Sequence, residues 1–109
     1  MYEIQYGFKE KWINRIMEIH NSTELKRKDT NKTLRALKNS FCVVICLHNK
    51  DLIGVGRMIS DGEMYSAIFD VVIDPAHQKK GIGKKIVRAL IEKAPNTCCL
   101  LYTSDAADE

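Results

Sequence analysis

The run from Asp70 to Ala94, DVVIDPAHQKKGIGKKIVRALIEKA, admits few folds. Its opening, together with Ile68 and Phe69, is apolar on both faces except at Asp70, which suits a central strand covered on both sides. Asp74-Pro75 stops that strand, since proline has no N–H to give to a ladder. Farther on, Ile82, Ile86 and Leu90, with Val87 and Ile91, recur at helical spacing. Lys84, Lys85, Arg88, Glu92 and Lys93 fill the opposite side, so an amphipathic helix is expected from Gly83 to about Ala94, ended by Pro95-Asn96. A buried strand, a glycine turn and a helix returning over the sheet are therefore expected in that order.

The turn between them carries chemistry. Gly81 and Gly83 lack Cβ, so the backbone can adopt positive φ there and come close to a ligand. Successive N–H groups at a helix start point outward, where the helix dipole also favours negative charge. Lys79, Lys80 and Lys84 add positive charge beside that nest, an arrangement suited to a pyrophosphate. Two familiar phosphate loops fail on spacing. Gln78 stands where a Walker A loop needs its first glycine and Lys85 where it needs Ser or Thr. Ile86 occupies the place of the third glycine of a dinucleotide fingerprint. A plain turn with solvated lysines is the alternative that spacing leaves open.

Upstream, residues 2–6 alternate as a short strand, and Trp12, Ile13, Ile16, Met17, Ile19 and His20 recur at helical spacing within 8–20. A second helix is expected near 32–38, capped by Thr30 or Asn31. FCVVICLH (41–48) reads as a buried strand, Asn49-Lys50-Asp51 as a turn, and LIGVGRMIS (52–60) as its antiparallel partner. Asp61-Gly62 signals a two-residue hairpin into the strand that ends at Ile73. The order is β-α-α-β-β-β-α with the start of a further strand, an α+β layout of mainly antiparallel sheet flanked by helices.

With 109 residues the chain makes one domain. A net charge of +3 is too weak to argue for nucleic acid, and Lys26-Arg27-Lys28 reads as a solvated face. No run approaches the roughly 18 apolar residues of a membrane span, and the N-terminus lacks the core of a signal peptide. Cys42, Cys46, Cys98 and Cys99 form no C-x-x-C and have no histidine at metal-ligand spacing, so no metal is expected. Reduced thiols fit a cytoplasmic protein. The tail Cys99 to Glu109, CLLYTSDAADE, resembles translated sequencing adapter. On that resemblance residues 1–98 are the domain, incomplete at its C-terminus, and 99–109 a non-native tail, with poor order expected beyond Tyr102.

Gln78-Lys79-Lys80-Gly81-Ile82-Gly83 is a Q/R-x-x-G-x-G/A string, and with its strand and helix it resembles the acetyl-CoA signature of the GNAT family of N-acetyltransferases. The likeness extends over 1–98, with its specific part in 68–94. It implies a GNAT-like sheet and transfer of an acetyl group from acetyl-CoA to an amine of a small molecule or peptide. It also implies that Val71, Val72 and Ile73 offer backbone groups to the pantetheine arm, and that Gln78, Lys79, Lys80, Gly81, Ile82, Gly83 and Lys84 wrap the pyrophosphate. On this reading Gly83→Val abolishes coenzyme A binding and Lys84→Ala only weakens it.

The general base stays unassigned. By alternation Ala67 and Phe69 share a face with Val71 and Ile73, and neither titrates. Asp70 points the other way unless a bulge intervenes. Glu63, Tyr65 and Asp61 are further possibilities, and His77 reads as a solvent-exposed turn residue. The family's usual acid is a tyrosine in a later helix; Tyr102, inside the suspected tail, is not put in that role. A coenzyme A-binding module without catalysis is the alternative.

Overall fold

The computed structural model describes residues 1–95 and the backbone of 99–102. The elements are β1 (Tyr2–Tyr6), a 3-10 turn (Glu10–Trp12), α1 (Ile13–Asn21), α2 (Thr30–Lys38), β2 (Cys42–His48), β3 (Asp51–Ser60) and β4 (Tyr65–Ile73). A second 3-10 turn (Pro75–His77), α3 (Ile82–Lys93) and β5 (Cys99–Tyr102) complete them. The strands lie in the order 1-2-3-4-5. β1 to β4 pair antiparallel, and β5 runs parallel to β4. The expected α+β order is the observed one. The first four residues of the suspected tail form β5; what was expected beyond Tyr102 falls outside the described residues.

Two cores sandwich the sheet. On one face Ile82, Ile86 and Leu90 of α3 pack on Val44, Ile53, Met58, Ile68, Val71 and Ile73. On the other, Ile16 and Ile19 of α1 and Leu37 of α2 pack on Val43, Ile45, Leu52, Val55 and Val72. The central strands are therefore apolar on both sides, as their sequences imply. α3 sits close to β3 because Gly56 has no side chain: a Cβ there would stand 2.7 Å from Ile86 Cγ2 and 3.2 Å from Val71 Cγ2.

Local chemistry differs from the expected detail in three places. Asp29, and not Thr30 or Asn31, caps α2, its carboxylate accepting from the Lys32 N–H at 3.0 Å. The β3–β4 connection is a four-residue loop, because Asp61 Oδ1 gathers the N–H groups of Glu63, Met64 and Tyr65. By contrast, β2 and β3 are joined through just Asn49 and Lys50, both at positive φ, the backbone of a tight hairpin.

The third departure shapes the site. Val55 pairs with Val72 and Arg57 with Phe69, so Asp70 and Val71 together face the single residue Gly56. Asp70 takes φ +58°, a left-handed value that aspartate tolerates better than most residues. This is a β-bulge, and it resets the alternation. Ile68, Val71 and Ile73 all turn to α3. Ala67 and Phe69 therefore do not share a face with Val71 and Ile73, as unbroken alternation would have it; Phe69 lies beside Asp70, on the α1–α2 side.

Candidate functional site

Beyond the bulge β4 loses its outer neighbour. β5 pairs only with Tyr65 to Ile68, so the edge from Phe69 to Ile73 has no strand partner among the described residues. The side chains of Val71, Val72 and Ile73 are fully buried, which leaves only their backbone groups to meet anything from outside. The strand then runs into Asp74, whose placement is fixed on three sides. Its N–H donates to the Ile53 carbonyl at 2.8 Å, its Oδ1 accepts from the Ala76 N–H, and its Oδ2 from the Arg15 guanidinium. Burial alone would raise this carboxyl's pKa, but the Ala76 N–H and Arg15 outweigh it and hold it below the ordinary value. Arg15 also donates through Nε to the Leu52 carbonyl, so it ties α1 both to the start of β3 and to the end of β4.

The glycine turn follows. The Gln78 side-chain amide donates to the Ile73 carbonyl at 3.1 Å and folds the loop back on the strand. Lys79 at φ +64° and Gly81 at φ +80° then take left-handed values on either side of Lys80. Alternation of this kind turns N–H groups to one side and makes a concave anion site. The N–H groups of Lys79 to Lys84 find no acceptor among the described residues; the first bond into α3 is Lys85 N–H to the Gly81 carbonyl. The space a Cβ of Gly81 would occupy is open to 4 Å. Gly83 lies elsewhere in the geometry, buried in the first turn of α3 with no positive φ, so the turn's conformational demand falls on Gly81. Lys79, Lys80 and Lys84 are exposed around the nest, and Ile82 is buried. His77 is not simply exposed: its Nδ1 lies 2.9 Å from Tyr2 Oη, and its ring lies tilted against that of His48 with centroids 4.9 Å apart.

On the opposite side of the bulge lies a cavity of about 430 Å³ between the α1–α2 connection and β3–β4. Asp70 sits at its wall with both oxygens engaged, Oδ1 by Arg27 and Oδ2 by Arg57 Nε at 2.8 Å. Arg57 lies over the Phe69 ring. His20 is another wall residue; its Nδ1–H donates to the Leu25 carbonyl at 2.7 Å. That bond fixes the tautomer, leaving a lone pair on Nε2. Burial pushes the imidazole's pKa down, with the Leu25 carbonyl and Asp70 opposing and Arg27 and Arg57 reinforcing, so the ring is neutral at neutral pH. Arg27, Arg57 and His20 escape a sequence reading because they lie far apart along the chain and meet only through the bulge. Among the described residues no group of three or more His, Cys, Asp or Glu could hold a metal. Cys42 and Cys46 are free thiols, and no described helix is long and apolar enough to cross a membrane.

The family model for the acetyltransferase (GNAT) family matches residues 8–108. The chain belongs to the GNAT acetyltransferase family. Among its GNAT relatives, the Glycine max protein named Histone acetyltransferase TAP1 is 36% identical over 77 residues, covering 60% of this chain and 33% of the relative. GCN5-related N-acetyltransferase 2, chloroplastic, of Arabidopsis thaliana is 32% identical over 107 residues, covering 75% of this chain and 41% of the relative. This chain thus spans a third to two fifths of the length of these curated relatives. The GNAT fold is also found in a Staphylococcus aureus protein described as a probable acetyltransferase, with TM-score 0.84 at 18% identity, covering 96% of this chain and 80% of that one.

Proposed function

We propose that the protein binds acetyl-CoA along the free edge of β4 and transfers its acetyl group to the amine of a small molecule or peptide. The observation that carries this reading is the unpartnered edge at Phe69–Ile73 leading directly into the N–H nest of Lys79–Lys84. The residues fit the donor: along Val71, Val72 and Ile73 the backbone groups that the β3 ladder does not use are left to pair with the amides of a pantetheine arm, and the open space over Gly81 admits a pyrophosphate. With the diphosphate at the nest, the arm runs back along β4 and ends near the bulge at Asp70. When bound, acetyl-CoA supplies a thioester carbonyl there. The amine nitrogen–carbon bond forms as the carbon–sulfur bond breaks, and the amine's proton passes, directly or through solvent, to the departing thiolate. The chain's part is to hold the two reactants in line and to keep the arm extended.

Calorimetry with acetyl-CoA tests the nest. Gly81→Val forces a β-branched residue to φ +80°, at a cost of roughly 1–3 kcal/mol, and sets a side chain in the diphosphate's path. Binding should fall by about tenfold or more. Lys84→Ala removes one exposed charge and should cost only about two- to fivefold. The reverse order would show that the lysines, and not the backbone, hold the diphosphate. Thiol release on adding an amine then separates an acetyltransferase from a coenzyme A-binding module, which binds acetyl-CoA and releases none.

A further inference from the structure

The cavity beside α1 and α2 carries more positive charge than the fold consumes. Five of its side chains are cationic, Lys26, Arg27, Lys28, Lys32 and Arg57, against two acidic ones, Asp29 and Asp70. Both carboxylates are already committed. Asp29 caps α2, and Asp70 has each oxygen held by a guanidinium. Lys26, Lys28 and Lys32 are exposed at the wall and have no ion-pair partner among the described residues. The two arginines also keep donors in hand. Arg57 spends Nε on Asp70 and one terminal nitrogen on Ser40 Oγ, and a guanidinium has five N–H groups.

The floor is different in character: Ala36, Leu37, Val55 and Gly56 are mostly apolar and buried. A small apolar-floored cavity with surplus cations at its wall repels a polycationic amine and attracts an anion. Its volume, about 430 Å³, matches a small metabolite and is at the low end of ligand pockets. The cavity also shares Asp70 with the bulge toward which the β4 edge leads.

We propose that this cavity is the acceptor site, and that the acceptor is a small primary amine bearing a carboxylate or phosphate group. The inference rests on the acetyl-transfer reading. Lys28, Lys32 and the spare donors of Arg57 hold the anionic end, which leaves the amine to reach the bulge. Peptides rich in lysine and polyamines are excluded by the same charge.

Two matched pairs test it by NMR titration of the labelled chain with coenzyme A present, which has no acetyl group to transfer: phosphoethanolamine against ethanolamine, and β-alanine against β-alaninamide. The anionic member of at least one pair should bind about fivefold or more tighter, in a salt-sensitive way. Which pair responds distinguishes phosphate from carboxylate. Shift changes should centre on Lys28, Lys32 and Arg57. In Lys28→Gln/Lys32→Gln, two exposed positions that the cores do not use, the anionic advantage should shrink to about twofold or less. Equal binding within both pairs, or shifts centred elsewhere, would overturn the proposal and leave acetyl-CoA binding standing. If acetyl-CoA itself does not bind, the acetyl-transfer reading fails, and the acceptor assignment falls with it. Phosphoethanolamine alone then shows whether the cavity is an anion site of another kind.

Discussion

Asp70 concentrates three demands in one residue. It supplies the positive φ of the bulge, the counter-charge of two arginines and part of the cavity wall. Asp70→Ala leaves two guanidiniums without their shared counter-charge and puts alanine, which tolerates left-handed backbone less well than aspartate, at φ +58°; urea denaturation should show a loss of about 2–4 kcal/mol. Asp70→Asn keeps the tolerated φ and some hydrogen bonding and should lose less. A loss below that for Asp70→Ala would mean the arginines find other partners. His20 sets a pH dependence. Its folded-state pKa lies below the ordinary histidine value, so the folded chain favours the neutral ring. The resulting stability is present above about pH 6.5 and is lost as pH falls from there through the lowered folded value. His20→Gln, which can still donate to the Leu25 carbonyl, should flatten that segment of a stability–pH curve. An unchanged slope would place the titration elsewhere.

At the scale of elements, β3 and α3 are held at a distance that only glycine permits. Gly56→Val would drive a branched side chain into Ile86, Leu90 and Val71 and should cost about 1–3 kcal/mol by overpacking. Thermal unfolding of that variant checks it; an unaltered midpoint would mean α3 can ride outward freely. Most elements were legible in the chain, because the apolar runs 41–48 and 68–73 and the stripe of Ile82, Ile86 and Leu90 leave little choice of partner faces. The glycine turn was legible for the same kind of reason: proline, glycine and lysine stand at spacings that few backbones satisfy. The cap at Asp29 was missed by one residue, since Asp29 and Thr30 are both good capping types. The bulge was legible only as a possibility at Asp70, with nothing in the sequence to decide it. A glycine at position 70 would have announced it, and aspartate in a left-handed turn of backbone leaves no such mark. Everything downstream of the bulge's position went with it: the face that Phe69 takes, the gathering of Arg27 and Arg57, and the cavity that turns Lys26-Arg27-Lys28 from a solvated face into a wall.

At the scale of the whole molecule, the proposed donor site and the cavity share a single strand with a core on each face. Since the proposed donor site draws on β4, the turn and α3, and Arg15 ties that end to α1, occupancy should brace the entire domain. Acetyl-CoA at about one hundred times its dissociation constant should add about 2.7 kcal/mol to unfolding, read as a rise in thermal midpoint that scales with ligand concentration. A midpoint indifferent to acetyl-CoA would contradict the donor site directly. The bulge also has a bearing on how the sequence can drift. At position 70 the backbone admits glycine, asparagine and aspartate, while the paired arginines admit aspartate and glutamate. The overlap of those two sets is one amino acid. A library of all substitutions along the chain should therefore show a tolerance minimum at this polar strand position, which hydrophobicity alone would rank as permissive.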